Sequence, residues 1–151
     1  MTDTTEQADV EVRQLSQYTK DLSFENPNGV TSVNKANSQR PDIDIGVQVQ
    51  ASKISDDIYE SVIELKVSAK IEEEVIFIVE LAFGSAWMVR NLPDDQLSQF
   101  LLIHAPSMTF PFARRIVSDL TRDGSFPPLM LDPIDFSALY RHNVEQQNSE
   151  A

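Results

Sequence analysis

"DIYESVIELKVSAKIEEEVIFIVELAF", residues 57–83, decides the fold class. Ile63, Leu65, Val67, Ala69 and Ile71 alternate with Glu64, Lys66, Ser68 and Lys70, the period of a strand with one face in the core. The acidic run 72–74 reads as a turn, and Val75–Phe83 resumes as a strand that is apolar on both sides apart from Glu80. A link this short joins antiparallel neighbours and leaves no room for a crossover helix. The two-sided pattern predicts a cover for the second face of this strand, from a helix layer or another subunit, unless it is a central strand buried by its own chain's helices.

Upstream, Pro41 opens a strand in which Ile43, Ile45, Val47 and Val49 alternate with Asp42, Asp44, Gly46 and Gln48, and Asp56-Asp57 marks the turn after it. Leu15 to Glu25 also alternates, which predicts Tyr18, Leu22 and Phe24 on one face and Thr19, Asp21, Ser23 and Glu25 on the other. Asn26–Gly29 ends that strand, and Val30 to Arg40 reads as a long polar loop. Downstream the period lengthens. Pro93, Asp94 and Asp95 suit a helix N-terminus, and Leu97, Phe100, Leu101 and His104 follow at helical spacing. Pro106 and Pro111 are expected to interrupt before a second helical stretch, Phe112 to Asp123, with an apolar stripe of Phe112, Ile116 and Leu120. A last helix begins near Pro133 and carries Phe136, Leu139, Tyr140 and Val144. The expected fold is α+β: a four-stranded antiparallel sheet followed by a long broken helix and a C-terminal helix. One domain is expected over residues 13–144, between a disordered acidic segment at 1–12 and a flexible tail at 145–151.

Composition narrows the function. Lys and Arg number 12 against 24 Asp and Glu, a net charge of −12 that repels phosphate backbones, so no nucleic-acid partner is expected. No cysteine is present, which removes disulfides, thiolate metal sites and thiol nucleophiles together and fits a reducing cytoplasm. The opening "MTDTTEQADVEV" has neither a basic nor an apolar signal-peptide region, and no apolar run is of membrane-spanning length. His104 sits on an apolar helical stripe and reads as a packed histidine; His142 reads as helix surface. The carboxylate runs fall at turns and helix starts, and all four glycines stand alone, so no metal, cofactor or catalytic constellation is expected. What remains is an apolar loop, "GSFPPLMLDP" at 124–133, where a polar connection belongs. That combination predicts a binding or assembly protein rather than an enzyme.

Two stretches carry a family likeness. "YTKDLSFENPNG" (Tyr18–Gly29) and "FPFARRIVSDLTRDGSFPPLMLDPIDFSALY" (Phe110–Tyr140) resemble the two signature regions of the SecB export chaperones, and "DIYESVIELKVSAK" resembles that family's central hairpin. The resemblance implies a cytoplasmic homotetramer, a dimer of dimers with helices packed between sheets. It implies a holdase that works without ATP, keeps precursor polypeptides unfolded and passes them to the SecA motor. The client groove then lies between about Asn26–Arg40 and Ser125–Asp132, lined by Phe126, Leu129, Met130 and Leu131. An acidic sheet face of Asp21, Glu25, Ile78 and Glu80 receives the basic, zinc-bearing tail of SecA. Many family members place a tryptophan in the crossover just before the second strand. Here Ser38–Pro41 has none, and the one tryptophan, Trp87, is expected after the fourth strand, a departure that bears on the aromaticity of the groove. One alternative is a SecB-like chaperone dedicated to a single partner such as an antitoxin. Another is a small-ligand-binding or hydrolytic α+β domain with the apolar loop as lid.

Overall fold

In the computed structural model, which describes residues 8–149, the strands β1 (Glu11–Glu25), β2 (Asp42–Ser55), β3 (Ile58–Ile71) and β4 (Glu74–Arg90) form one antiparallel sheet in the order β1-β4-β3-β2. The expected disorder of residues 1–7 and the last residues of the tail, 150–151, lie outside the described residues. β1 starts at Glu11, so it takes in the end of the segment expected to be unstructured. The β3–β4 hairpin closes as the alternation requires. Ile71 pairs with Glu74, and Glu72 and Glu73 between them adopt φ of 50° and 71°, the double positive φ of a type I′ turn. β4 is longer than its apolar run predicts and contains Trp87, which was expected beyond it.

The segment read as a polar loop contains a helix, α1 (Val30–Ser38), that carries the chain from β1 across to β2. Its residues are weak helix formers and its N-cap, Gly29, makes no side-chain cap. Tertiary contacts hold it instead. Ser32 and Ala36 are buried, Lys35 pairs with Glu74, and Asn28 Nδ2 donates to Glu74 Oε1 at 3.0 Å. Local pattern carries none of that.

After β4 the chain is helical from Asp94 to Asp123, through both prolines: α2 (Asp94–Gln99), a π-helical turn (Phe100–His104) and α3 (Ala105–Asp123). In the π turn the Ala105 N–H reaches Phe100 O; the next bond in that register would need an N–H on Pro106, which has none. Ser61 of β3 supplies the donor, its hydroxyl lying 2.7 Å from Leu101 O. A buried chain continues from there: Ser85 Oγ donates to Ser61 O at 3.4 Å and accepts from Trp87 Nε1 at 2.7 Å. The extra residue in the π turn rotates the following face. Leu101 and Ala105 are buried while His104, expected in the packed stripe, is exposed. The buried stripe of α3 is Ala105, Thr109, Ala113, Val117 and Thr121, mostly small residues. Phe112, expected inside, is exposed, and Ile116 and Leu120 are half-buried. α4 (Phe136–Ser149) closes the domain through buried Phe136 and takes in residues 145–149 of the stretch expected to be a flexible tail.

One face of the sheet carries the core: Ile63, Leu65, Val67, Phe77, Val79, Leu81 and Phe83 pack against Phe110, Ala113 and Val117 of α3 and against Phe126, Leu131 and Phe136. No element among the described residues covers the other face. On that face β4 presents the small residues Ala82, Gly84 and Ala86. Tyr18 lies over Gly84, and a Cβ at Gly84 would meet Tyr18 Cε2 at 2.6 Å. This reverses the expected side for Tyr18. A bulge at Lys20, where pairing jumps from Thr19↔Phe83 to Asp21↔Ala82, inverts the alternation, so Tyr18 shares the open face with Asp21, Ser23 and Glu25 while Thr19 faces the helices. Glu60 clamps the bulge, accepting from Lys20 Nζ at 2.7 Å and from the Tyr18 hydroxyl.

Gly84→Ala is expected to push the Tyr18 ring off Glu60 and to cost about 1–3 kcal/mol, read from the urea midpoint; an unchanged midpoint would show that the ring moves freely. The hydrogen bonds from Lys20 and Tyr18 hold the Glu60 carboxyl below its ordinary value of 4.5, while burial and the Glu60 carboxylate push Tyr18 up to about 12. In acid the unfolded chain therefore binds more protons at Glu60 than the folded one, so this stabilisation is present above 4.5 and is lost as pH falls through the lowered value. Glu60→Gln is expected to flatten the acid limb of stability against pH. An acid limb of unchanged slope refutes the linkage.

Candidate functional site

The apolar loop is fastened to the end of α3. Gly124 N–H donates to Leu120 O (2.9 Å), Ser125 N–H to Arg122 O (3.0 Å) and Phe126 N–H to Thr121 O (3.0 Å), while the fully buried Thr121 hydroxyl accepts from Leu129 N–H at 2.9 Å and bonds to Val117 O at 3.0 Å. So held, Phe126 turns inward and completes an aromatic trio, 5.0 Å from Phe77 and 6.2 Å from Phe24, which stand 5.9 Å apart. Gly124 is required here for space: a Cβ would meet Phe24 Cζ at 2.7 Å.

Between this loop and the crossover lies an open cavity of about 470 Å³. Residues 36–41 form one wall, residues 126–129 the other, and Ile43 and Phe77 reach in from β2 and β4. The expected groove residues divide. Phe126 and Leu129 line the cavity; Met130 is outside it, 65% exposed, with its sulfur accepting from Ser118 Oγ at 3.3 Å. Leu131 does not line it, being 4% exposed in the core, because the chain turns inward again before α4. Sequence reading missed Ile43 and Phe77 as lining, while the crossover, expected as the facing wall over residues 26–40, does line the cavity through residues 36–40. Ile43 carried a signal, since strand alternation sets it on the inner face at the very start of β2, where no helix covers it.

On the opposite side of the sheet, the four residues expected to form a partner surface are brought together. Asp21, Ser23 and Glu25 of β1 stand opposite Ala82, Glu80 and Ile78 of β4. Asp21, Glu25 and Glu80 are exposed and Ile78 is half-buried. Next to them on β3, Lys66 lies 3.7 Å from Glu80, so the surface is acidic with one internal cation at its centre. A shallow depression runs from Asp21 across Glu80 and Lys66 to Gly46. Such a surface attracts a basic segment by charge and offers Ile78 as an apolar foothold. Among the described residues, no group of three or more carboxylates and histidines is arranged to hold a metal ion. Both histidines are exposed, His142 within hydrogen-bond distance of Gln146 on α4.

A sequence profile of SecB, preprotein translocase subunit SecB, matches residues 4–147. This chain belongs to the SecB family. It is similar to the protein-export protein SecB of Zymomonas mobilis, with 48% identity over 134 residues, 89% of this chain and 80% of the relative. The SecB of Maricaulis maris is 43% identical over 93% of this chain and 81% of its own length. Among solved structures, the SecB-like chaperone Rv1957 of Mycobacterium tuberculosis, in complex with a ChAD peptide from the Rv1956 HigA1 antitoxin, shares the fold with a TM-score of 0.66, covering 82% of this chain and 90% of that one at 13% identity. The SecB signature residues now have physical reasons. Tyr18 and Lys20 clamp the bulge, Phe24 joins the trio, and Gly124 admits Phe24 beneath the loop.

Thr121→Val keeps the volume but leaves the Leu129 N–H without its acceptor, at an expected cost of about 1–2 kcal/mol. The Leu129 amide is expected to exchange markedly faster in that variant. Unchanged exchange would show that the loop is held by packing alone.

Proposed function

We propose that this SecB-family chain is an ATP-independent cytosolic holdase that receives unfolded precursor segments in the cavity beside Phe126 and delivers them to SecA through its acidic sheet face. The observation that carries the reading is the open apolar cavity between the crossover and the anchored loop, on a chain whose relatives are export chaperones. Non-native chains expose aromatic and aliphatic side chains with free backbone amides, and a concave apolar site binds them by burying area rather than by reading sequence. At roughly 25 cal/mol per Å², a few buried client side chains contribute several kcal/mol before ordering costs. Met130, exposed and flexible beside the cavity, extends the sticky surface, and no step requires catalysis.

A homotetramer, a dimer of dimers, fits the remaining apolar surface. Met108 and Phe112 lie exposed on the outward side of α3, and Val12, Leu15 and Leu22 are exposed along the free edge strand β1. Asp21, Glu25, Ile78 and Glu80 are the surface for the zinc-bearing SecA tail. The dedicated-partner alternative is not favoured, because the export proteins are the sequence relatives and the antitoxin chaperone shares only the fold.

The wild-type chain is expected to have a solution mass near that of four subunits and to suppress aggregation of a slow-folding client without nucleotide. A monodisperse monomer that leaves aggregation unchanged would sink the reading. Replacing Asp21, Glu25 and Glu80 together with Lys is expected to abolish binding of a zinc-loaded SecA tail peptide while client holding persists; retained tail binding would move that site elsewhere.

A further inference from the structure

The cavity beside Phe126 has a single charged residue in its lining, and it is a cation, Arg40, in a chain with 24 acidic and 12 basic residues. Arg40 is exposed and makes no salt bridge to any carboxylate among the described residues. Asp42, the acid nearest in sequence, is carried away by strand geometry. It stands opposite Lys70 and in line with Asp44 and Gly46 on the open face, whereas the intervening Ile43 faces the cavity. Arg40 therefore lines the same cavity as the apolar Phe77, Phe126 and Leu129, without an ionic partner to give up among the described residues.

We infer that Arg40 gives the client cavity a local charge preference: it selects unfolded segments that set a carboxylate beside the apolar side chain seated in the cavity. The inference rests on the client-groove reading above and names the subclass of client segment. A guanidinium is weakly hydrated, and its planar fork of donors matches a carboxylate, so the pair forms at an apolar surface with little desolvation and without breaking a native ion pair. The net charge of −12 acts the other way at longer range, favouring basic residues elsewhere on the client. Screening limits that field to about 8 Å at physiological ionic strength, so the two preferences are separate in space. The favoured segment is apolar with an acid at one position and basic flanks. Net charge alone predicts aversion to acid at every position.

The test uses the full chain and a set of fluorescent peptides sharing one apolar, aromatic-containing sequence with basic flanks, in which a single Glu or its isostere Gln is moved through successive positions. Wild type is expected to bind the Glu peptide about threefold to tenfold more tightly than the Gln peptide at one position or two neighbouring ones, and less tightly elsewhere. Arg40→Gln is expected to erase that local preference, read as the ratio of Glu-peptide to Gln-peptide affinity within the variant, and Arg40→Lys to keep only part of it. High salt is expected to shrink the Glu-over-Gln preference in wild type, while weakening both peptides alike through their shared basic flanks. A preference that survives in Arg40→Gln, or no position at which Glu is favoured in wild type, overturns the inference and leaves the groove reading standing. Failure of every peptide, neutral ones included, to bind wild type overturns the groove reading and this inference with it.

Discussion

A bulge of one residue at Lys20 sets which side chains of β1 stand on each face of the sheet. Side chains on a strand alternate strictly, so a single extra residue exchanges the faces for everything beyond it. Upstream of the bulge Tyr18 lies on the open face; downstream, Leu22 and Phe24 turn inward and Asp21 and Glu25 turn outward. The acidic surface and the Phe24–Phe77–Phe126 trio beneath the loop depend on the same inserted residue. Glu60 gathers Lys20 and Tyr18, and Gly84 leaves room for the Tyr18 ring. The acidic surface and the apolar cavity, on opposite sides of the sheet, are thus set by one local feature of an edge strand.

The second constraint is the helical segment after the sheet. Two prolines would end an isolated helix, yet here the chain stays helical through both, and the sheet supplies the donor that Pro106 lacks. The Ser61 hydroxyl satisfies Leu101 O, and the π turn shifts the helix so that α3 lies on small side chains close to the strands. This close approach leaves the large apolar groups Met108 and Phe112 facing outward. It also sets the end of α3 where Thr121 can grip the loop and turn Phe126 into the trio.

The strands were legible from alternation because burial on one face writes a period of two directly into the residues of β2 and β3. That Asp21, Glu25 and Glu80 share an exposed face was legible because charge on an outward face carries no competing packing signal. Leu131 was misplaced for a related reason: in a proline-rich segment without periodicity, an apolar residue reads the same whether it lines a cavity or fills the core. His104 and Phe112 were displaced by a π turn whose cause, a proline and a serine on another element, is not local. α1 was missed because Lys35 is held by Glu74, 39 residues away, and its own sequence supplies little helix propensity.

By itself the sequence determined the fold class, the absence of cysteine chemistry, the family likeness and the acidic set on the sheet, since periodicity, composition and motif are properties of neighbours along the chain. Only the tertiary structure decided which way Tyr18 points, that Leu131 is core and Leu129 is wall, and that Arg40 stands at the cavity without an ionic partner among the described residues. Each of these depends on which groups meet across the sheet. A bulge, a π turn and a helix end bring those groups together, and no stretch of the chain contains both partners.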